Sequence, residues 1–280
     1  MNYHSPAFLM THCQDILKFY DPRVKDSQGG YFQNYMDNGD LFDSGFKQLV
    51  SSTRIVVNYA TAGMLFERDD YLKMARHGLD FVEQVHWQPD ADGYAWTLQD
   101  NQPQDMTQQA YGYAFVLLAY AAARKTGIVT SNDMLLKTYQ QLESRFWQAD
   151  FGLYADEISP EGELSSYRGQ NSNMHLCEAM LAAYEASNEQ VFLTRAQTLA
   201  ENIAFRQADL TDGLIWEHYT TDFQPDWEYN KDDPKNLYRP WGFQPGHQTQ
   251  WTKLQAESFA AAAMLFSVTQ DEQYLTQYNA

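Results

Sequence analysis

Gly93-Tyr94-Ala95-Trp96 and Gly152-Leu153-Tyr154 bracket the block of sequence that decides the fold. Between them run two helical patterns, Asp105 to Lys125 and Asn132 to Trp147, joined by a short polar turn. The first is dense in small residues, Leu118-Ala119-Tyr120-Ala121-Ala122-Ala123, and the second is more charged. The block recurs in both directions. Matching glycine–aromatic marks stand at Gly30-Tyr31-Phe32 and Gly213-Leu214-Ile215-Trp216, so successive glycines are 63, 59 and 61 residues apart. The preceding block holds the patterns Ser44 to Glu67 and Asp69 to His86, and the following one Ser172 to Ala186 and Glu189 to Phe205. A lone pattern, Ala7 to Tyr20, comes first, and a fourth pair is expected from Gly246 onward. Each unit is an αα-hairpin plus a short extended piece.

No strand–helix–strand alternation is present, which excludes a Rossmann-like sheet. Hairpins of this size cannot bury both faces alone, so they stack on their neighbours. The small residues of each first helix suit a crowded inner layer, and the charged second helices an outer one. The expected fold is therefore all-α, an (α/α)6-type barrel or toroid of αα-hairpins forming one domain over residues 1–280. Inner-helix ends and glycine–aromatic loops are expected to line a central funnel. One lone helix and four pairs fall short of six hairpins, and a fifth glycine–aromatic mark, due near position 273, is absent from the sequence, so the barrel reads as incomplete.

The formal charge of −18 repels phosphate backbones and anionic membranes, which argues against nucleic acid and membrane partners. No apolar run approaches the roughly 20 residues that span a bilayer. Met1-Asn2-Tyr3-His4-Ser5-Pro6 has neither a basic nor an apolar leader region, so no signal peptide is expected. Cys13 and Cys177 read as free thiols of a reducing cytoplasm. Aromatics make up 15% of the chain, many beside Gly, Asp, Asn and Gln. Flat apolar faces beside hydrogen-bonding groups suit a neutral sugar, although ordinary packing uses the same residues. Monomer and homodimer both stay open.

Tyr167-Arg168-Gly169-Gln170-Asn171-Ser172-Asn173-Met174-His175-Leu176-Cys177-Glu178 sets a polar cluster at the mouth of a strong helix. Asn171, Ser172 or Asn173 is expected to cap it, with His175 in the first turn and Glu178 three residues on along the same face. An imidazole with a carboxylate neighbour is an acid/base unit. Gly246-His247-Gln248-Thr249-Gln250-Trp251 repeats the spacing, with His247 three residues before Gln250. Two such mouths point to one shared site. His4, His12, His77, His86 and His218 lack this setting and read as structural. Arg54, in the apolar run Ile55-Val56-Val57, is either a buried ion-pair partner or a substrate clamp. The irregular stretch Thr220 to Pro245 reads as a binding loop that delivers Arg239 and Trp241. Metal ligation is disfavoured, because the di-iron pattern places Glu before His and adds further carboxylates.

Arg168 to His175, Pro240-Trp241-Gly242-Phe243-Gln244-Pro245-Gly246-His247 and Ser52-Thr53-Arg54 resemble the N-acylglucosamine 2-epimerase superfamily over nearly the whole chain. The nearest branch is that of the D-mannose isomerases and related aldose–ketose isomerases. The resemblance implies an (α/α)6 barrel that works on a monosaccharide without metal or other cofactor. D-mannose and D-fructose, or a related 2-hydroxy aldose such as D-lyxose, would interconvert by histidine-mediated proton transfer through an enediolate. It further implies His175 and His247 as two of three catalytic histidines. Arg54, Tyr111, Asn171 and Arg239 would hold the sugar, together with Glu178 and with Gln250, which stands where the family carries Glu. Gln255-Ala256-Glu257-Ser258-Phe259-Ala260-Ala261-Ala262 resembles a family segment one hairpin later. About one hairpin is therefore expected to be missing after Leu254, and the third histidine to lie past Ala280. The alternatives are a sugar 2-epimerase of the same superfamily, a non-catalytic sugar-binding paralogue, or an α/α-toroid glycoside hydrolase drawing opposed carboxylates from Asp156, Glu157, Glu217 and Asp226.

Overall fold

The structure, a computed structural model, describes residues 3–21 and 23–269. The chain divides into two compact units, Met1–Met106 and Thr107–Ala280. Among the described residues no helix is long and apolar enough to cross a membrane.

The first unit contains α1 (Pro6–Tyr20), α2 (Leu49–Leu65) and α3 (Asp69–Phe81). Helices α2 and α3 pack as a hairpin, with Asp69 and Asp70 in the first turn of α3, where the helix dipole favours negative charge. The stretch from Ser44, expected to open the helix, is extended instead: Phe46–Gln48 pairs antiparallel with Thr97–Gln99, which pairs in turn with Gln102–Asp105. Side-chain chemistry decides this. The Asp43 carboxylate accepts from the backbone N–H groups of Gly45 and Phe46. Lys47 reaches inward to a buried ion pair with Asp26 at 2.7 Å and to Asn101 at 2.9 Å.

The second unit contains α4 (Ala110–Lys125), α5 (Asp133–Arg145), α6 (Gln170–Ser187), α7 (Gln190–Glu201) and α8 (Pro245–Thr269). Helices α4 and α6 pack along each other, α5 lies on α4, and α7 and α8 lie on α6. Eleven of sixteen residues in α4 are buried against four of thirteen in α5, which is the expected difference between inner and outer layers. The region from Gly246, read as a fourth pair, runs as one continuous helix as far as it is described. No glycine or proline interrupts residues 247–269. The mark due near 273 lies outside the described residues.

The repeat is as regular in hydrogen bonds as in sequence. The first N–H of each inner helix bonds a carbonyl at the end of the next glycine–aromatic mark or just after it: Leu49 to Trp96 at 3.0 Å, Ala110 to Asp156 at 2.8 Å and Gln170 to Glu217 at 3.2 Å. Trp87–Gln88 pairs with Gly93–Tyr94, and Trp147–Gln148 with Leu153–Tyr154, placing Trp against Tyr edge-on at 5.0 and 4.9 Å. The aromatic rings of these marks, expected from sequence to line a central funnel, are packed away instead. Tyr31, Tyr94, Tyr154 and Trp216 are all buried, because large rings beside tight turns are worth most as packing between hairpins.

Candidate active site

Helix α6 starts earlier than its polar residues suggested. Its N-cap is Gly169, and Gln170 continues directly from a two-residue strand, Arg168–Gly169, paired with His218–Tyr219. The expected caps serve other ends. Ser172 donates to Asp156 at 2.6 Å, and the Asn173 side chain grips both the N–H and the carbonyl of Tyr154. Asp156 also accepts from the Gly169 N–H at 2.7 Å, and burial pushes its carboxyl up to about 7. His175 consequently sits in the second turn of α6. Asn171, His175 and Glu178 fall at i, i+4 and i+7, on one helix face.

That face is built for an imidazole. His175 Nδ1 lies 3.0 Å from the Glu178 carboxylate, and Lys253 of α8 approaches the other Glu178 oxygen at 3.8 Å. Tyr111 meets the His175 ring edge-on at 5.1 Å and Phe115 lies at 5.0 Å, both on α4. A carboxylate against Nδ1 holds the proton there and leaves Nε2 as the base. The buried Oδ1 of Asn171 accepts no hydrogen bond among the described residues.

His247 lies in the first turn of α8, and its carboxylate partner is not at position 250. Nδ1 lies 2.9 and 3.0 Å from the two oxygens of Glu217, thirty residues upstream and almost wholly buried. The parallel between His175-x-x-Glu178 and His247-x-x-Gln250 therefore misassigns the partner. Gln170 Nε2 donates to Glu217 at 2.9 Å, and the Trp251 indole N–H donates to the Gln170 oxygen at 2.7 Å. Sequence reasoning missed Gln170 and Trp251 altogether and noticed Glu217 only as a hydrolase acid. The available signal was positional, since Glu217 occupies the repeat position of Trp96 and Asp156.

Arg239 donates to Glu157 at 2.8 Å and to the Tyr229 hydroxyl at 3.1 Å, and stacks over the Tyr167 ring at 3.9 Å. Glu157 also accepts from Gln109, two residues before Tyr111, so Arg239 is held at the starts of α4 and α6. The 220–245 loop is folded on aromatic rings: buried Trp216 packs against Trp227, Trp241 and Phe243. His218 donates from Nε2 to the Pro240 carbonyl, accepts at Nδ1 from Tyr167, and is held neutral by burial, a structural role. Tyr111, Asn171, His175, Glu178, Arg239, His247 and Gln250 thus all belong to the second unit. Arg54 belongs to the first, on α2, where it borders a largely apolar groove of about 490 Å³. Among the described residues no three His, Cys, Asp or Glu side chains converge as a metal cage.

The profile of the N-acylglucosamine 2-epimerase (GlcNAc 2-epimerase) family matches residues 30–255. D-mannose isomerase of Marinomonas mediterranea is 39% identical over 99% of this chain and 84% of its own length. That alignment spans 333 positions against 280 residues here, so the relative carries residues with no counterpart in this chain. Cellobiose 2-epimerase of Eubacterium cellulosolvens is 25% identical over 64% of this chain and 47% of its own. A crystal structure of D-mannose isomerase superposes with a TM-score of 0.88 at 38% identity, covering 99% of this chain and 85% of that one. The fold is the α/α toroid of these isomerases and epimerases.

Proposed function

Because the chain belongs to the N-acylglucosamine 2-epimerase family, we propose that it is an aldose–ketose isomerase that interconverts D-mannose and D-fructose. The observation that supports this most is the pair of imidazoles on packed helices, each anchored through Nδ1 by its own carboxylate. With Nδ1 protonated, Nε2 of each ring is the acid/base atom. One imidazole removes the proton at C2 of the open-chain aldose. The electron pair moves into an enediolate, whose developing oxygen charge is met by the Arg239 guanidinium and by imidazolium. A second transfer carries the O2 hydroxyl proton to O1, and the proton taken from C2 is returned at C1, which leaves a C2 carbonyl and a C1 hydroxyl, the ketose. Tyr111, Asn171 and Glu178 bond the sugar hydroxyls, as Gln250 does from α8. Two unpaired thiols, Cys13 exposed and Cys177 buried, suit a cytoplasmic enzyme.

The hydrolase reading loses three of its four carboxylates to the scaffold, leaving Asp226, whose carboxylate accepts only from the Glu228 N–H among the described bonds. Asp156 is spent on Gly169 and Ser172, Glu157 on Arg239 and Gln109, and Glu217 on Gln170 and His247. Incubating D-mannose with the wild type and with His175→Asn and His247→Asn tests the proposal. Fructose is expected from the wild type, with a loss of about a thousandfold or more in each variant, as for removal of an essential acid/base group. Glucose in place of fructose would indicate the 2-epimerase instead, and full turnover by either variant would remove that histidine from the site.

A further inference from the structure

The His247 ring is gripped by a chain of three side chains that no reading of the sequence linked together. We infer that Trp251, Gln170 and Glu217 form a positioning relay that fixes His247 in the tautomer carrying its proton on Nδ1. This inference rests on the isomerase reading for its kinetic consequence but not for its structural one.

Each link follows from donor and acceptor identity. An indole N–H can only donate, so the Trp251 contact at 2.7 Å fixes the Gln170 oxygen toward α8. The Gln170 NH2 must then face Glu217, to which it donates at 2.9 Å. The same NH2 lies 2.8 Å from His247 Nδ1 and would donate only to an unprotonated nitrogen, so one neutral amide there competes with two carboxylate oxygens that call for a protonated one. Nδ1 lies 2.9 and 3.0 Å from the two Glu217 oxygens. A proton on Nε2 instead would set the Nδ1 lone pair against both of them. With the proton on Nδ1 the contact becomes a charge-assisted hydrogen bond, among the stronger kinds. Gln170, Glu217 and Trp251 are all buried, so water does not compete for these bonds. Glu217 is a positioning residue: it acts through His247, leaving Nε2 unprotonated as the base.

Replacing the carboxylate by an amide tests this without a change of shape. In Glu217→Gln the new amide oxygen answers the Gln170 NH2, and its own NH2 is offered to Nδ1, which must then accept. The ring proton moves to Nε2 and the base is lost, as when the orienting carboxylate of a serine-protease triad becomes an amide. Nitrogen-15 spectra of histidine-labelled protein are expected to show His247 protonated at Nδ1 in the wild type and at Nε2 in Glu217→Gln. On D-mannose, kcat is expected to fall at least about a hundredfold with KM within about threefold. Trp251→Phe, which frees the Gln170 amide to turn over, gives a mixture of tautomers and an intermediate kcat, and serves where Glu217→Gln fails to fold. An Nε2-protonated wild-type ring, or a variant that keeps both the wild-type tautomer and kcat, would overturn the relay. A wild type inactive on mannose that still shows the switch would sink only the isomerase reading.

Discussion

Asn171 stands apart from its neighbours because its buried oxygen accepts nothing from the described chain, whereas Ser172 and Asn173 are fully engaged in holding the helix start. Among the described residues its oxygen therefore gives up no hydrogen bond when it is removed, whereas on the proposed reading a sugar hydroxyl loses an acceptor worth about 1 to 1.5 kcal/mol. Asn171→Ala is expected to raise KM for D-mannose about tenfold while changing Tm by less than about 2 °C, checked by initial rates and thermal melts. A fall of many degrees with KM unchanged would make Asn171 structural. Pairs within one helix turn were legible at this scale: His175 and Glu178 meet at 3.0 Å, as their spacing required. Glu217 was not, because an ion pair between residues thirty apart is set by the fold of the loop between them rather than by any local period.

At the scale of elements, the hairpin series was legible because its apolar period and its glycines recur about every sixty residues. The helix starts were not. Phe46–Gln48 and Gln108–Gln109 are strands that run straight into α2 and α4, and what makes them extended is pairing with Thr97–Gln99 and Glu157–Ile158. Such pairing is invisible to helical propensity. The loops that supply it also carry buried titrating groups. Asp156, in the 155–156 link that bonds the start of α6 through Gly169 and Ser172, is raised by burial to about 7, so its stabilising contribution is full below its ordinary 3.8 and is lost as pH rises through about 7. His86 works oppositely in the first unit: buried between Ser52 and the Ala95 carbonyl, it is lowered to about 4, and its contribution is lost as pH falls from its ordinary 6.5 toward that value. Asp156→Asn keeps an acceptor for Gly169 and lets Ser172 donate or accept. Relative to the wild type it is expected to gain several degrees in Tm on going from pH 5 to pH 8, measured in matched buffers. An equal offset at both pH values would mean that Asp156 does not titrate in this window.

For the whole molecule, the sequence identified a chain of hairpins and led to the expectation of a lost hairpin at the Leu254–Gln255 junction. The family match ends at residue 255, and the Marinomonas relative carries residues that have no counterpart here. The junction leaves no trace in the backbone, since α8 passes through it unbroken from Pro245 to Thr269. A join of two helical segments without glycine or proline simply reads as a longer helix. The α4, α6 and α8 assembly holds both imidazoles and their carboxylates, and proton transfer by that pair is the central claim. Solvent isotope exchange tests it most directly. D-mannose incubated with the protein in heavy water is expected to yield fructose carrying a single deuterium at C1, from an imidazole that exchanges with solvent while the enediolate is bound. Fructose without deuterium would mean that the hydrogen passes from C2 to C1 without resting on a solvent-exchanging imidazole, and neither fructose nor labelled mannose would mean that the two histidines move no proton on this sugar; either result contradicts the claim.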